Sequence, residues 1–261
     1  MNATLVVSPH KLWVALFVIS FFSGLARATS IVVLVTQDRI IIASDGVVTA
    51  VTNGVESFPK FCKIRTDGNV YYAIAGDYGA PQTELDVWKI TSESVAKSPN
   101  IIGILDSTEA AILNQLKAIA ERNRLGDPKT YARWISGDPV TEMLFAGIEG
   151  GPIAAGLTFY VDGNGDPVRP ARRDVIRPEQ GTIGGGRIGQ HQEIEAILPL
   201  GSWQKSFIVD PIDASRYLIQ REIDAGTREE RYDVGPPIAI ATITASSAGF
   251  VKGYEGACPN N

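Results

Sequence analysis

Apolar and polar positions along the chain alternate between blocks with strand-like and helix-like spacing. Ser30 to Thr36 (SIVVLVT) and Ile40 to Ser44 (IIIAS) are nearly continuous apolar runs separated by the polar break Gln37-Asp38-Arg39. This pattern predicts a hairpin. Lys63-Ile64-Arg65 leads into a turn at Thr66-Asp67-Gly68-Asn69, and Val70 to Ala75 (VYYAIA) predicts a strand closed by Gly76. Strands that are apolar on both faces suit a sheet covered by helices on one side and by a second sheet on the other. Helical spacing follows. One helix is predicted over Pro81 to Lys97, with Leu85, Val87, Trp88, Ile90 and Val95 on its apolar side. A second is predicted with Ser107 as N-cap and Ala111, Ile112, Leu116, Ile119 and Ala120 facing inward. Strands return at 141–148 and 154–161, around Glu149-Gly150-Gly151-Pro152, followed by a turn over 162–166. A helix over 210–225 and a last strand over 237–245 complete the pattern. The order is strands, helices, strands, helices, strand. It is not the alternation of a doubly wound fold, and it predicts an α+β protein with two sheets between helix layers.

The first 28 residues read differently. Lys11 precedes an apolar run from Leu12 to Leu25, interrupted only by Ser20, Ser23 and Gly24. Ala26 and Ala28 are the small residues of an A-x-A cleavage site. The run is short for a bilayer-spanning helix, which needs about 20 apolar residues. Residues 1–28 are therefore read as a signal peptide, with an uncleaved anchor or a buried N-terminal helix as alternatives. Cleavage would leave residues 29–261 as one domain, secreted or periplasmic, with no membrane attachment.

Composition narrows the chemistry. Residues 1–28 hold Lys11 and Arg27 and no acid, so residues 29–261 carry 22 basic and 29 acidic side chains, net −7. That balance argues against a nucleic-acid partner. His191 is the only histidine after His10. A zinc site built on several histidines is excluded, and only His191 is left to serve a Ser-His or Cys-His pair. No cofactor or metal is expected. Cys62 and Cys258 leave two readings open, a disulfide or two free thiols.

A base must then come from elsewhere, and cleavage after Ala28 would supply one. Thr29 would carry a hydroxyl nucleophile and a free α-amine on one residue. The predicted hairpin returns Asp45 to the start of its first strand, beside Thr29. Lys63, at the head of the next strand, would lower the hydroxyl pKa, held in place by Asp45. Lys60 competes with it for this part. The backbone N–H of Gly76, with no Cβ in the way, would face a developing oxyanion. Singly, each residue has a plain structural reading: strand start, turn, solvated lysine, strand terminator.

Taken together, Thr29-Ser30-Ile31-Val32, Ile41-Ala43-Ser44-Asp45-Gly46, Lys63-Ile64 and Ala73-Ile74-Ala75-Gly76 resemble the opening of proteasome β-type subunits. They also resemble the related peptidase subunits of bacterial ATP-dependent ring proteases. The Thr-to-Asp spacing matches, while the Asp-to-Lys segment is about two residues longer and the Lys-to-Gly segment about one shorter. The resemblance implies the four-layer αββα sandwich of N-terminal nucleophile hydrolases. It implies Thr29 as nucleophile and base, Asp45 and Lys63 as support, and Gly76 in the oxyanion hole. It implies a peptide or amide substrate, and a homo-oligomeric ring is an expectation from the resemblance alone. The match covers about residues 29–79. In the second half the family carries a serine and an aspartate–serine pair. Gly186 or Arg187 stands where the first serine is expected, and Glu230 or Asp233 is available for the acidic part. These departures keep two rivals in view: an inactive scaffold or binding subunit of the same fold, and a small-molecule amidase or acylase.

Three further patterns read as structure. Gly184 to Gly189 satisfies G-x-G-x-x-G but lacks a surrounding βαβ unit. Asp162-x-Asn164-x-Asp166 starts like a calcium loop, yet Pro167 and Arg173 occupy the positions of its glycine and bidentate glutamate, so a turn is expected. Arg169, Arg172 and Arg173 read as a solvated basic face.

Overall fold

The computed structural model describes residues 29–52, 55–77, 85–197, 201–204 and 210–258. The signal-peptide reading lies outside these residues, as does the predicted helix start at Pro81. Thirteen described strands are β1 (Ser30–Val35), β2 (Arg39–Ser44), β3 (Ala50–Thr52), β4 (Val55–Ser57), β5 (Ile64–Asp67), β6 (Val70–Gly76), β7 (Thr141–Ile148), β8 (Pro152–Phe159), β9 (Arg172–Ile176), β10 (Thr182–Gly189), β11 (Gly201–Gln204), β12 (Ala239–Thr244) and β13 (Ala248–Glu255). The described helices are α1 (Val87–Lys97), α2 (Ile101–Gly126), α3 (Pro128–Trp134), α4 (Gln192–Ile197) and α5 (Pro211–Arg228).

Two antiparallel sheets carry the fold. One runs β11-β10-β1-β2-β12-β13 and the other β5-β6-β7-β8-β9, while β3 and β4 pair as a separate hairpin. The side-chain period of two sorts each strand between layers. In β1, Ile31, Val33 and Val35 point into the space between the sheets, while Val32 and Leu34 meet Leu218, Ile219 and Ile223 of α5. In β7, Leu144 and Ala146 face the other sheet, while Met143 and Phe145 meet α1 and α2 through Trp88, Ile104 and Leu116. The described residues thus hold three apolar layers: helix on sheet, sheet on sheet, and sheet on helix. This is the four-layer αββα sandwich, of the α+β class.

Capping corrects one expectation. The helix predicted to have Ser107 as its N-cap is capped seven residues earlier by Asn100, whose side chain accepts the Gly103 N–H at 2.8 Å. Ser107 lies inside α2, its hydroxyl donating to the Gly103 and Ile104 carbonyls. The helix expected over 210–225 runs from Pro211 to Arg228, with Asp210 as its N-cap ahead of Pro211. The 162–166 segment is a turn, in which Asp162 Oδ1 accepts from the N–H groups of Asn164 and Asp166. The glycine-rich stretch is a central strand. A Cβ at Gly184 or Gly186 would lie 2.5 or 2.8 Å from Ile176 of β9, so the glycines let the two sheets close upon each other.

Cys62 and Cys258 form a disulfide. It ties the residue before Lys63 to the chain just beyond β13.

Candidate active site

The site is built where β1 begins. Because β1 lies between β10 and β2, Thr29 enters the sheet with a neighbour on each side. Its carbonyl accepts the Gln190 N–H at 2.6 Å, and the residue is buried. Ser30 pairs with Gly189. Gly189 takes a φ of 77°, and a Cβ there would sit 2.1 Å from the Thr29 oxygen. Only glycine lets the chain pass so close. The Gly189 N–H donates to Glu142 Oε2 at 2.8 Å, so a buried carboxylate of the second sheet pins the same turn.

The hairpin brings Asp45 back to this end. The Asp45 and Ser30 backbones pair at 3.1 Å, and Asp45 Oδ1 accepts the Ser30 N–H at 2.8 Å. Its Oδ2 accepts the N–H groups of Val47 and Gly235, each at 3.2 Å. Gly46 follows because Pro237 crosses there: a Cβ would meet the Pro237 oxygen at 2.2 Å. The segment between Asp45 and Lys63 folds back on itself, with Val47 bridged to Lys60 and the Phe61 N–H donating to the Gly46 carbonyl. The arm carries β3 and β4 and returns Lys63 to Asp45, where Nζ meets Oδ1 at 2.6 Å. Lys60, the competing lysine, is exposed. Burial pushes the Lys63 ammonium below its ordinary value, and the carboxylates of Asp45 and Asp233 pull it back up.

Gly76 ends β6 opposite Thr141, with φ 85° and Val140 against the place a Cβ would take. The next residue, Asp77, is locked: its N–H donates to the Val140 carbonyl, and its carboxylate accepts from Arg133 and the Trp134 indole N–H. Ala75, one residue before Gly76, comes within 3.2 Å of the Cβ position of Gly189. Asp45 thus contacts Lys63 directly and Thr29 through its neighbour Ser30, and Gly76 approaches the Thr29 turn through Ala75 and Gly189.

The second half of the site differs from the sequence expectation. Gly186 faces Ile176 and Val33, and Arg187 pairs with Glu195 of α4. The residue against Thr29 is Gln190, three positions further on than Arg187. Of the two acids, Glu230 is exposed, and Asp233 is buried and accepts from Gln190 Nε2 at 2.8 Å. Arg231 donates to Gln190 Oε1 and lies 3.6 Å from Asp233. Burial raises the Asp233 carboxyl above its ordinary value, Arg231 and the Gln190 hydrogen bond oppose that rise, and Asp45 adds to it. His191 is held at the Gly189 carbonyl through Nδ1 at 2.6 Å. Gln190, Glu142 and Arg231 were not legible as site residues, since only strand register places them there. Among the described residues no group of three or more His, Cys, Asp or Glu side chains is arranged to hold a metal ion, and no helix is long and apolar enough to cross a membrane.

No protein-family model matches the chain, and no curated protein does. Among solved structures it is similar to eukaryotic HslV from Trypanosoma brucei, at 14% identity and a TM-score of 0.43, over 83% of this chain and 99% of that one. It is also similar to a Gly-1 mutant of Anbu from Hyphomicrobium sp. strain MC1, at 15% identity and a TM-score of 0.46, over 86% and 85% of the two chains. The fold assignment rests on the layers and strand register described above.

Proposed function

We propose that the chain is an exported N-terminal threonine hydrolase that cleaves peptide or amide bonds through an acyl-enzyme on Thr29. The observation that carries this reading is the position of Thr29 at the buried head of β1, beside the Asp45–Lys63 ion pair at 2.6 Å. Removal of residues 1–28 frees the Thr29 amine. Thr29 Oγ attacks the substrate carbonyl and passes its proton to that amine. The Gly76 N–H steadies the oxyanion. As the C–N bond breaks, the amine gives the proton to the leaving nitrogen. Water then attacks the Thr29 ester, losing a proton to the amine, and Oγ recovers it as the acid departs. Lys63 favours the charged form of the hydroxyl, and Asp45 holds Lys63 by accepting from it.

A secreted or periplasmic location and assembly of copies into a ring belong to the same proposal. The Cys62–Cys258 bond supports the exported location, since disulfides persist in oxidising compartments. The test is to express the full chain in an export-competent host, measure the mass and N-terminal sequence of the product, and assay peptide and acyl-amide substrates. A product starting at Thr29, active as wild type and inactive as a folded Thr29→Ala variant, is expected. A product starting elsewhere, or a Thr29→Ala variant with wild-type turnover, overturns the mechanism.

One observation favours a second reading. Gly186 or Arg187 stands where the resemblance leads one to expect a serine, and the side chain of Gln190, whose N–H meets the Thr29 carbonyl, is occupied by Asp233 and Arg231. An inactive scaffold or binding subunit tolerates that exchange. Failure of the processed protein to react with a peptide epoxyketone supports this reading. Turnover of acyl-amides without turnover of peptides makes the protein a small-molecule amidase.

A further inference from the structure

Gln190, itself buried, makes three contacts that join parts of the site otherwise far apart in sequence. Its main-chain N–H donates to the Thr29 carbonyl at 2.6 Å. Its Nε2 donates to Asp233 Oδ2 at 2.8 Å, and its Oε1 accepts from Arg231. The loop that holds Asp233 closes back on the other side of the site, where the Gly235 N–H donates to Asp45 Oδ2 and the Gly46 N–H to the Gly235 carbonyl. A circuit therefore runs from Thr29 through Gln190 and the 231–235 loop to Asp45, and from Asp45 to Ser30 and Lys63. Every side chain in the circuit except Arg231 is buried. An amide donates to a carboxylate through its nitrogen while accepting from a guanidinium through its oxygen, two separate atoms.

We propose that Gln190 is a positioning residue of the threonine site, fixing the Asp233 carboxylate and the 231–235 loop relative to Thr29 and Asp45. This rests on the threonine-hydrolase reading above. The groups that set the charge at Asp233 are Arg231, Lys63 and Asp45, together with the Gln190 amide. Loss of the amide leaves Asp233 buried with one fewer donor, so its carboxyl rises further above its ordinary value.

The experiment uses the full chain, expressed and processed in an export-competent host, and a peptide epoxyketone as probe of Thr29. The covalent labelling rate is followed by intact mass from pH 5 to 9 in wild type, Gln190→Met, Asp233→Asn and the double variant. Gln190→Met keeps the volume of the side chain and removes its polar atoms. It is expected to label about tenfold more slowly near neutral pH, as a displaced catalytic group does, with the acid limb of the profile moved upward. Gln190→Met added to Asp233→Asn is expected to cost nothing further, because Gln190 acts through Asp233. Gln190→Glu, which keeps the Arg231 contact and loses the amide donor, serves as the second variant and is expected to show the same slowing. Labelling of either folded Gln190 variant at the wild-type rate, or full additivity in the double variant, overturns the proposal while leaving the hydrolase reading intact. Failure of wild type itself to label overturns the hydrolase reading, and this inference with it.

Discussion

Lys63 and Asp45 form an ion pair whose side chains are 1% and 0% exposed, and Asp45 has main-chain partners besides Lys63. Asp45 also accepts from the Ser30, Val47 and Gly235 N–H groups. Removing one partner of a buried pair typically costs about 3–5 kcal/mol. Lys63→Met leaves a carboxylate that three amides still satisfy. Asp45→Ala removes the counter-charge of Lys63 and also the acceptor of three buried amides. Denaturant unfolding is therefore expected to show a greater loss in Asp45→Ala than in Lys63→Met, by about 1–3 kcal/mol. Equal losses would mean that the amides do not hold Asp45.

Glu222 of α5 gives the stability a pH dependence of known sign. The residue is buried, its Oε1 accepts the Ile194 N–H at 2.9 Å, and burial raises its carboxyl above the ordinary 4.5. A carboxyl raised in the folded state binds its proton more tightly there than in the unfolded chain. Its contribution is complete below the unfolded value and is lost as pH rises through the folded value. Glu222→Gln mimics the protonated form. Thermal melts from pH 4 to 8 are expected to show a decline in wild type relative to this variant, starting above about pH 4.5. Parallel curves would remove Glu222 as the source.

The contact of β10 with β9 invites a double-mutant cycle. A Cβ at Gly184 would lie 2.5 Å from Cγ2 of Ile176. Gly184→Ala is expected to cost about 1–3 kcal/mol through overpacking. Ile176→Ala removes the clashing atom, so the double variant is expected to be more stable than the two single losses predict, by about 0.5–3 kcal/mol. Strict additivity would show that the strands yield rather than clash.

The disulfide closes a loop spanning 196 residues in sequence. Cys258→Ser is expected to cost about 2–5 kcal/mol by chemical unfolding. Because Cys62 precedes Lys63, turnover of the processed protein is expected to fall as well at a temperature where the variant stays folded. Full turnover in a folded Cys258→Ser protein would show that Lys63 is held without the bond.

What the sequence could reveal tracks the distance over which each contact is made. Thr29, Asp45 and the hairpin between them were readable because two apolar runs and a short polar break are local signals, and Asp45 returns to Thr29 by hairpin geometry alone. Lys63 needed its motif to be preferred over Lys60. The β10 strand was hidden because its glycines carry none of the β-branched or aromatic residues that mark strands, and Ile176 from another strand fills that space. Gln190 and Asp233 are 43 residues apart, and only the register of β10 on β1, which sets Gln190 at Thr29, and the fold of the 231–235 loop bring them together. The start of α2 was misplaced because Asn100 and Ser107 are both acceptable caps and Gly103 weakens the first turn.

Chain ends ordinarily fray, since little holds the first residues of a domain. Here residue 29 continues directly into a strand hydrogen-bonded on both edges, to β10 and to β2. A cut before Thr29 would create an end whose mobility is that of the sheet's interior. The reacting groups would then need no further ordering when substrate arrives, because the sheet had already immobilised them as the chain folded.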